Sequence, residues 1–264
     1  MTLLLALLLK NMHTNQVIHG DCLEVMQNIP DKSIDMILTS PPYDNLRTYN
    51  GYSFDFEGIV KELYRVTKDG GVVVWIVGDA TVKGSETGTS FKQALYFKEI
   101  GFNLHDTMIW NKRCFSAVGA LQNRYAPVFE YMFILSKDYP KSFNPIKDRK
   151  TIHGGKKVNG TVRNKDGSMK PFSKEVTINE YGQRFNIWEH SPQRQKGGHP
   201  APFPEKLAED HILSWSNEGD IVLDPFAGSG TTLKMAKKNN RNYIGIEISQ
   251  EYIDIINKRL SETS

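Results

Sequence analysis

The stretch IVLDPFAGSGTT, residues 221–232, decides the reading of this 264-residue chain. Ile221-Val222-Leu223 is a short apolar run of strand character. Asp224-Pro225-Phe226-Ala227-Gly228-Ser229-Gly230 is a turn, and Thr231 to Lys238 follows with helical spacing. A glycine turn between strand and helix is where backbone amides can come against a bound ligand. Glu247 ends the next apolar strand, Tyr243 to Ile246, seventeen residues beyond Gly230. That is close to the ~20-residue interval at which an acidic side chain meets ribose hydroxyls in nucleotide-binding βαβ units. No Lys follows the glycines in the phosphate-loop pattern, so nothing is arranged to hold a triphosphate. The loop alone fits a tight turn that merely needs glycine; loop and Glu247 together point to a nucleoside cofactor.

Working outward, the same alternation recurs. Val17 to Ile18, Ser33 to Leu38 and Gly71 to Val77 are apolar, β-branched-rich runs with helical patterns between them, as a parallel α/β sheet requires. Phe56 to Thr67 sets Ile59, Val60, Leu63 and Val66 on one helical face, and Asp69-Gly70-Gly71 is expected to stop that helix. Val128 to Leu135 reads as a buried strand. Pro204 opens a helix carrying Leu207, His211 or Ile212, and Trp215 to one side, and a last helix, Gln250 to Leu260, turns Ile253, Ile256 and Leu260 inward.

Ser40-Pro41-Pro42-Tyr43 follows the strand Ile34 to Leu38, at the carboxyl edge of the expected sheet, where ligands bind in such folds. Two consecutive prolines fix the backbone and remove two amide donors, which leaves carbonyl oxygens as rigid acceptors beside a hydroxyl and an aromatic ring. That set suits an exocyclic amino group, whose lone pair is delocalised into its base and must be drawn out for attack on an electrophilic methyl. Ser40 and the Pro41 carbonyl would accept its hydrogens while Tyr43 stacks on the base face. Taken alone, the tetrapeptide is also an ordinary turn. Asp44, Asn45, Arg47, Thr48 and Tyr49 fit either a segment closing over the base or a plain surface loop.

The character of the chain changes between Lys141 and Gly198, with 13 Lys or Arg against 5 Asp or Glu, although the whole protein is only at +3. Composition leaves two readings of this stretch, a solvated or disordered loop and a basic module that meets an acidic partner. Phe172, Ile178, Tyr181, Phe185, Ile187 and Trp188 argue against full disorder. Hydrophobic residues at 39% and charged residues at 24% suit a globular protein. The apolar run Thr2 to Leu9 is far shorter than the roughly 20 residues that span a bilayer, and it lacks the flanks of a secretory signal. Residues 1–11 read as a dispensable extension or an upstream start. Cys22 and Cys114 have no paired spacing, which fits a reducing, cytoplasmic setting. His19, His199 and His211 are too scattered to propose as metal ligands.

These motifs, in this order, resemble the DNA amino-methyltransferases of the circularly permuted beta group. The resemblance rests on His19-Gly20-Asp21-Cys22, on Asp31 to Tyr43, on Gly198-His199-Pro200-Ala201-Pro202-Phe203-Pro204 and on Asp224 to Gly230. It implies a Rossmann-like S-adenosylmethionine-dependent methyltransferase fold, a doubly wound and mostly parallel α/β sheet in permuted order. Residues 12–140 would form the catalytic half, 141–198 a loop-rich target-recognition insert and 199–264 the cofactor-binding half. The resemblance gives Ser40, Pro41, Pro42 and Tyr43 the catalytic role. It sets Asp21 by the cofactor adenine, Glu247 by the ribose and the loop Asp224, Pro225, Phe226, Gly228, Ser229 and Gly230 by the methionine part, with Cys22, Thr231, Thr232 and Ile248 also cofactor-binding. His199, Pro200 and Phe203 would stand at the cofactor-side helix start.

The implied partner is duplex DNA, contacted by Arg47, Lys147, Arg149, Lys150, Lys156, Lys157, Arg163 and Arg184, with the target base flipped out of the helix. A cognate restriction endonuclease is a candidate second partner; monomer or dimer stays open, and methyl transfer from a sulfonium needs no metal. Ser at the first catalytic position favours cytosine N4, with adenine N6 as the alternative. Cytosine-C5 chemistry would need a thiolate nucleophile that neither Cys22 nor Cys114 is placed to supply. An RNA or protein methyltransferase, or an inactive DNA-binding module, are the remaining competitors, and the permuted order and basic insert weigh against the first of these.

Overall fold

The β-branched runs are extended and the amphipathic ones helical in the computed structural model, which describes residues 13–42, 54–114, 123–171, 175–192 and 203–263. The central strands are β1 (Gln16–His19), β2 (Ile34–Thr39), β3 (Thr67–Val77), β4 (Asn103–Asn111), β5 (Phe129–Ser136), β6 (Ile187–Glu189), β7 (Ile221–Asp224) and β8 (Asn242–Glu247). They form one sheet in the order β1-β8-β7-β2-β3-β5-β4-β6. All neighbours run parallel except β5, which is antiparallel to β3 and β4. Continuous apolar runs such as Val72 to Val77 are what such strands need, since helices cover both faces; every residue of that run is buried.

The helices are α1 (Cys22–Met26), α2 (Phe56–Val66), α3 (Thr89–Ile100), α4 (Glu205–Trp215), α5 (Thr231–Lys238) and α6 (Gln250–Ser261). Along the chain α1 packs on α2 and α2 on α3, while α4 packs on α5 and α5 on α6. The expected inward faces are buried: Ile59, Val60, Leu63 and Val66 on α2, and Ile253, Ile256 and Leu260 on α6. On α4, both His211 and Ile212 are buried with Leu207 and Trp215.

Asp69-Gly70-Gly71 does not stop α2; the stop comes earlier. Thr67 is already extended, and its hydroxyl donates back to the Leu63 carbonyl at 2.6 Å. Asp69 to Gly71 then form a bulge at the start of β3, between the pairings Ile34 with Thr67 and Met36 with Val72. Gly70 takes the left-handed φ of +81° that this excursion needs. Helix α3 and strand β4 carried no motif in the sequence and lie between β3 and β5 along the chain.

Two compact units emerge, residues 1–144 with 186–264, and residues 145–185. The second lies inside the basic stretch 141–198. It is a sequence of nested antiparallel pairs: Arg149–Lys150 with Tyr181–Gly182, Lys157–Val158 with Val176–Thr177, and Thr161–Arg163 with Met169–Pro171. Together these form one long interrupted hairpin whose tip is the turn at Asn164–Ser168. No described residue between 145 and 185 is buried. Ile187 and Trp188 belong instead to β6 of the large sheet, where Trp188 is buried.

Candidate active site

Parallel strands that end together gather their last residues at one edge, and the candidate site is built from four such ends: His19 of β1, Thr39 of β2, Asp224 of β7 and Glu247 of β8. Asp224 is 2% exposed. Its Oδ1 accepts the Thr39 hydroxyl at 2.7 Å and the Phe226 amide at 3.1 Å. Burial raises its pKa to about 6, against the opposing hydrogen bonds of Thr39, Thr232 and Phe226. Thr232, buried on the first turn of α5, donates its hydroxyl to the Leu38 carbonyl at 3.1 Å. Two hydroxyls thus tie the loop after β7 to the last residues of β2, and Ser40-Pro41-Pro42 continues directly from that point, with Pro41 buried and Ser40 and Pro42 half-buried.

Glu247 is held by amides on both sides: Gly228 donates to one carboxylate oxygen at 2.8 Å and Ser249 to the other at 2.9 Å. Burial raises its pKa, with these amides opposing the rise. The loop is shaped by glycines at φ +51° for Gly228 and +78° for Gly230. At Gly230 a Cβ would come within 2.9 Å of Ile256 on α6, whereas at Gly228 it would meet nothing nearer than the Phe226 carbonyl at 3.8 Å. The loop is therefore packed tightly on its inner side and open above Gly228, beside the Glu247 carboxylate. Pro225 and Ser229 are buried. The half-buried Phe226 ring stands 5.7 Å from Phe54 and 6.4 Å from Trp75, so an apolar wall adjoins the two carboxylates.

Asp21 caps α1, its carboxylate accepting the Leu23 amide at 2.9 Å and the Glu24 amide at 3.3 Å. The Gly20 amide donates to the Glu247 carbonyl at 3.0 Å, and His19 Nε2 lies 3.0 Å from the Ile248 carbonyl, so β1 brings Asp21 to the end of β8. Cys22 turns into the core, and burial pushes its thiol up to about 12. Thr231 is also buried. Phe203 is buried just before α4, while His199 and Pro200 lie outside the described residues, as do Tyr43, Arg47 and the segment from Asp44 to Tyr49.

Thr39 is the residue the sequence reading missed. A polar side chain ending the otherwise apolar run Met36-Ile37-Leu38 is the signal that would have found it, because a buried hydroxyl must have a partner.

In the hairpin unit the basic residues divide into two groups. The Arg184 guanidinium is paired with the Asp148 carboxylate, and Lys157 with Glu175 at 3.1 Å. Lys147, Lys150 and Lys156 are exposed and make no ion pair among the described residues. Arg149 lies 4.3 Å over the Phe185 ring, and Arg163 donates to the Gly167 carbonyl at 3.3 Å.

Both the sequence and the fold resemble proteins already described. Residues 34–258 match the family N6_N4_Mtase, DNA methylase, and the chain belongs to that family. It is 60% identical to the orphan methyltransferase M.BamHII of Bacillus amyloliquefaciens over 243 residues, which cover 89% of this chain and 91% of that protein. Among solved structures it is similar to a candidate DNA modification methylase of Thermus thermophilus complexed with S-adenosyl-L-methionine. Identity there is 25%, the TM-score 0.63 and coverage 94% of this chain and 95% of that one. The PvuII DNA methyltransferase, cytosine-N4-specific, shares the fold with a TM-score of 0.68 at 22% identity, covering 94% and 86% of the two chains. No described helix is long and apolar enough to cross a membrane.

Proposed function

We propose that this DNA methyltransferase transfers a methyl group from S-adenosylmethionine to the exocyclic N4 of cytosine, at a short site in duplex DNA, with the base flipped out of the helix. The observation that carries this reading is the buried 2.7 Å hydrogen bond from Thr39 to Asp224, which joins the strand end leading into Ser40-Pro41-Pro42-Tyr43 to the glycine loop. Donor and acceptor of the methyl group then meet at one sheet edge.

The residues at that edge suit the cofactor. Space above Gly228 leaves room for a ligand against the backbone, and the Glu247 carboxylate, already fixed by two amides, keeps lone pairs for vicinal hydroxyls. Asp224 is mostly ionised at neutral pH and offers negative charge toward a cation. When bound, the cofactor supplies an electrophilic methyl on sulfur and leaves as the neutral thioether.

The chain's own part is to hold and activate the nucleophile. Ser40 and the Pro41 carbonyl accept hydrogen bonds from the two amino hydrogens, which draws electron density onto the nitrogen as it forms the new N–C bond and the S–C bond breaks; the methylated nitrogen then releases one proton to solvent water. Tyr43 stacks on the base face and takes the place of the neighbouring bases it leaves behind in the duplex. Ser40 in place of an acidic residue at the first position supports cytosine over adenine. Residues 145–185 serve as the target-recognition module, with Lys147, Lys150 and Lys156 as phosphate contacts.

Digesting methylated DNA to nucleosides and identifying the product by mass tests the assignment. N4-methylcytosine is expected; N6-methyladenine would overturn the choice of base, and methyl uptake into RNA in preference to duplex DNA would overturn the substrate.

A further inference from the structure

The three arginines of the hairpin unit differ in what their guanidinium groups have left to offer. Arg184 has spent its fork on Asp148. Arg163 is exposed near the hairpin tip, with Nε donating to Gly167 and no aromatic ring beneath it among the described residues. Arg149 is held on three sides. Its Nε donates to the Gln183 carbonyl at 3.0 Å, its plane lies 4.3 Å over Phe185, and it crosses Gly182 so closely that a Cβ there would stand 2.5 Å from Nη2.

With Nε and the ring face engaged, the two terminal amino groups of Arg149 keep their hydrogens, and Nη2 lies against the Gly182 backbone. Neither has a hydrogen-bond partner among the described residues. Phe185 is itself 65% exposed, so the stack stands at the surface of a unit in which no described residue is buried. A planar fork with fixed orientation and two unused parallel donors matches the paired acceptors O6 and N7 of guanine in the major groove; a flexible lysine would not match them.

We infer that Arg149 reads a guanine of the recognition sequence through the major groove, with Phe185 and Gln183 as its positioning residues. The inference rests on the reading of residues 145–185 as the target-recognition module and makes it specific to one base. Lys147, Lys150 and Lys156 lack any such support and hold phosphates without reading sequence.

The test uses the full chain, unmethylated plasmid DNA and tritiated S-adenosylmethionine, with single-molecule sequencing to locate each methylated base. Wild type is expected to methylate one motif that contains guanine. Arg149→Lys should lower kcat/KM at that motif by about 10- to 100-fold and admit other bases at one position, while cofactor affinity and the melting temperature hold. Phe185→Leu should give a weaker change of the same kind at the same position, and Arg163→Lys a small, position-independent loss.

A wild-type motif without guanine, or an Arg149→Lys enzyme with an unaltered motif, would overturn the inference and leave the methyltransferase reading standing. Uniform loss in both Arg149→Lys and Phe185→Leu would also overturn it, since that would mark a structural role. Failure of the wild-type chain to methylate DNA would sink the functional reading itself.

Discussion

The large unit and the hairpin unit use their polar groups in opposite ways. In the first, Thr39, Thr232 and Asp224 are buried, Thr39 donating to Asp224 and Thr232 on α5 donating to the Leu38 carbonyl. In the second, nothing described is buried, and order comes from short ladders, a few ion pairs and one stacked arginine. Fixed geometry suits a reaction in which a misplacement of about 1 Å can cost 100-fold in rate. A surface without a core suits reading, where contacts with the partner supply the missing burial and a single side chain can change its message without unfolding the rest.

Breaking the first side of this contrast should cost most. On the proposed stacking of the target base against Tyr43, Tyr43→Ala is expected to lower turnover by about 100-fold or more, with cofactor affinity within about twofold in calorimetry. Unchanged turnover would take Tyr43 out of the mechanism. Asp224→Ala should weaken cofactor binding about 10- to 100-fold and leave the Thr39 hydroxyl without its acceptor, visible as a lower melting temperature.

Proton linkage at Asp224 gives a finer measurement. Its pKa is raised from 3.8 to about 6 by burial, so its contribution to stability is greatest below pH 3.8 and is lost as pH rises through 6, an effect on the order of 3 kcal/mol. Cofactor affinity should run the other way and fall about tenfold per pH unit below 6, since only the carboxylate attracts a cation. Asp224→Asn should flatten both dependences; calorimetry and thermal melts from pH 4 to 8 would show it. The smallest effects belong to the hairpin. Lys147→Ala, Lys150→Ala or Lys156→Ala should each weaken DNA binding a few-fold and reduce the salt slope by about one, with the motif unchanged.

What the sequence disclosed follows the same division. The strands with continuous apolar runs, the helices with a single apolar face and the glycine loop were legible because burial imposes period and composition on them. The end of α2 at Thr67 was legible too, but its cause was not, because a hydroxyl bonding back to Leu63 leaves no periodic trace and Gly70-Gly71 looked the stronger signal. Thr39 went unnoticed for a related reason: its partner lies 185 residues away, and no local pattern announces a long-range pair. In the hairpin, composition gave the charge but not its allocation. Arg149, Lys157 and Arg184 read as equivalents of Lys150 until their neighbours were seen, with Phe185, Glu175 and Asp148 each removing some of the freedom of the cation beside it.

One property of the sheet reaches beyond the finished molecule. Among the described residues strand β1 is an edge strand that pairs only with β8, so Gln16 pairs with Ile244 across nearly the whole polypeptide. At a synthesis rate of about 5–20 residues per second, β1 leaves the ribosome and waits on the order of ten seconds or more for the partner that completes its ladder. During that interval Asp21 has no neighbouring strand to stand against. The ladder that sets Asp21 beside Glu247 is therefore among the last parts of the described sheet to form.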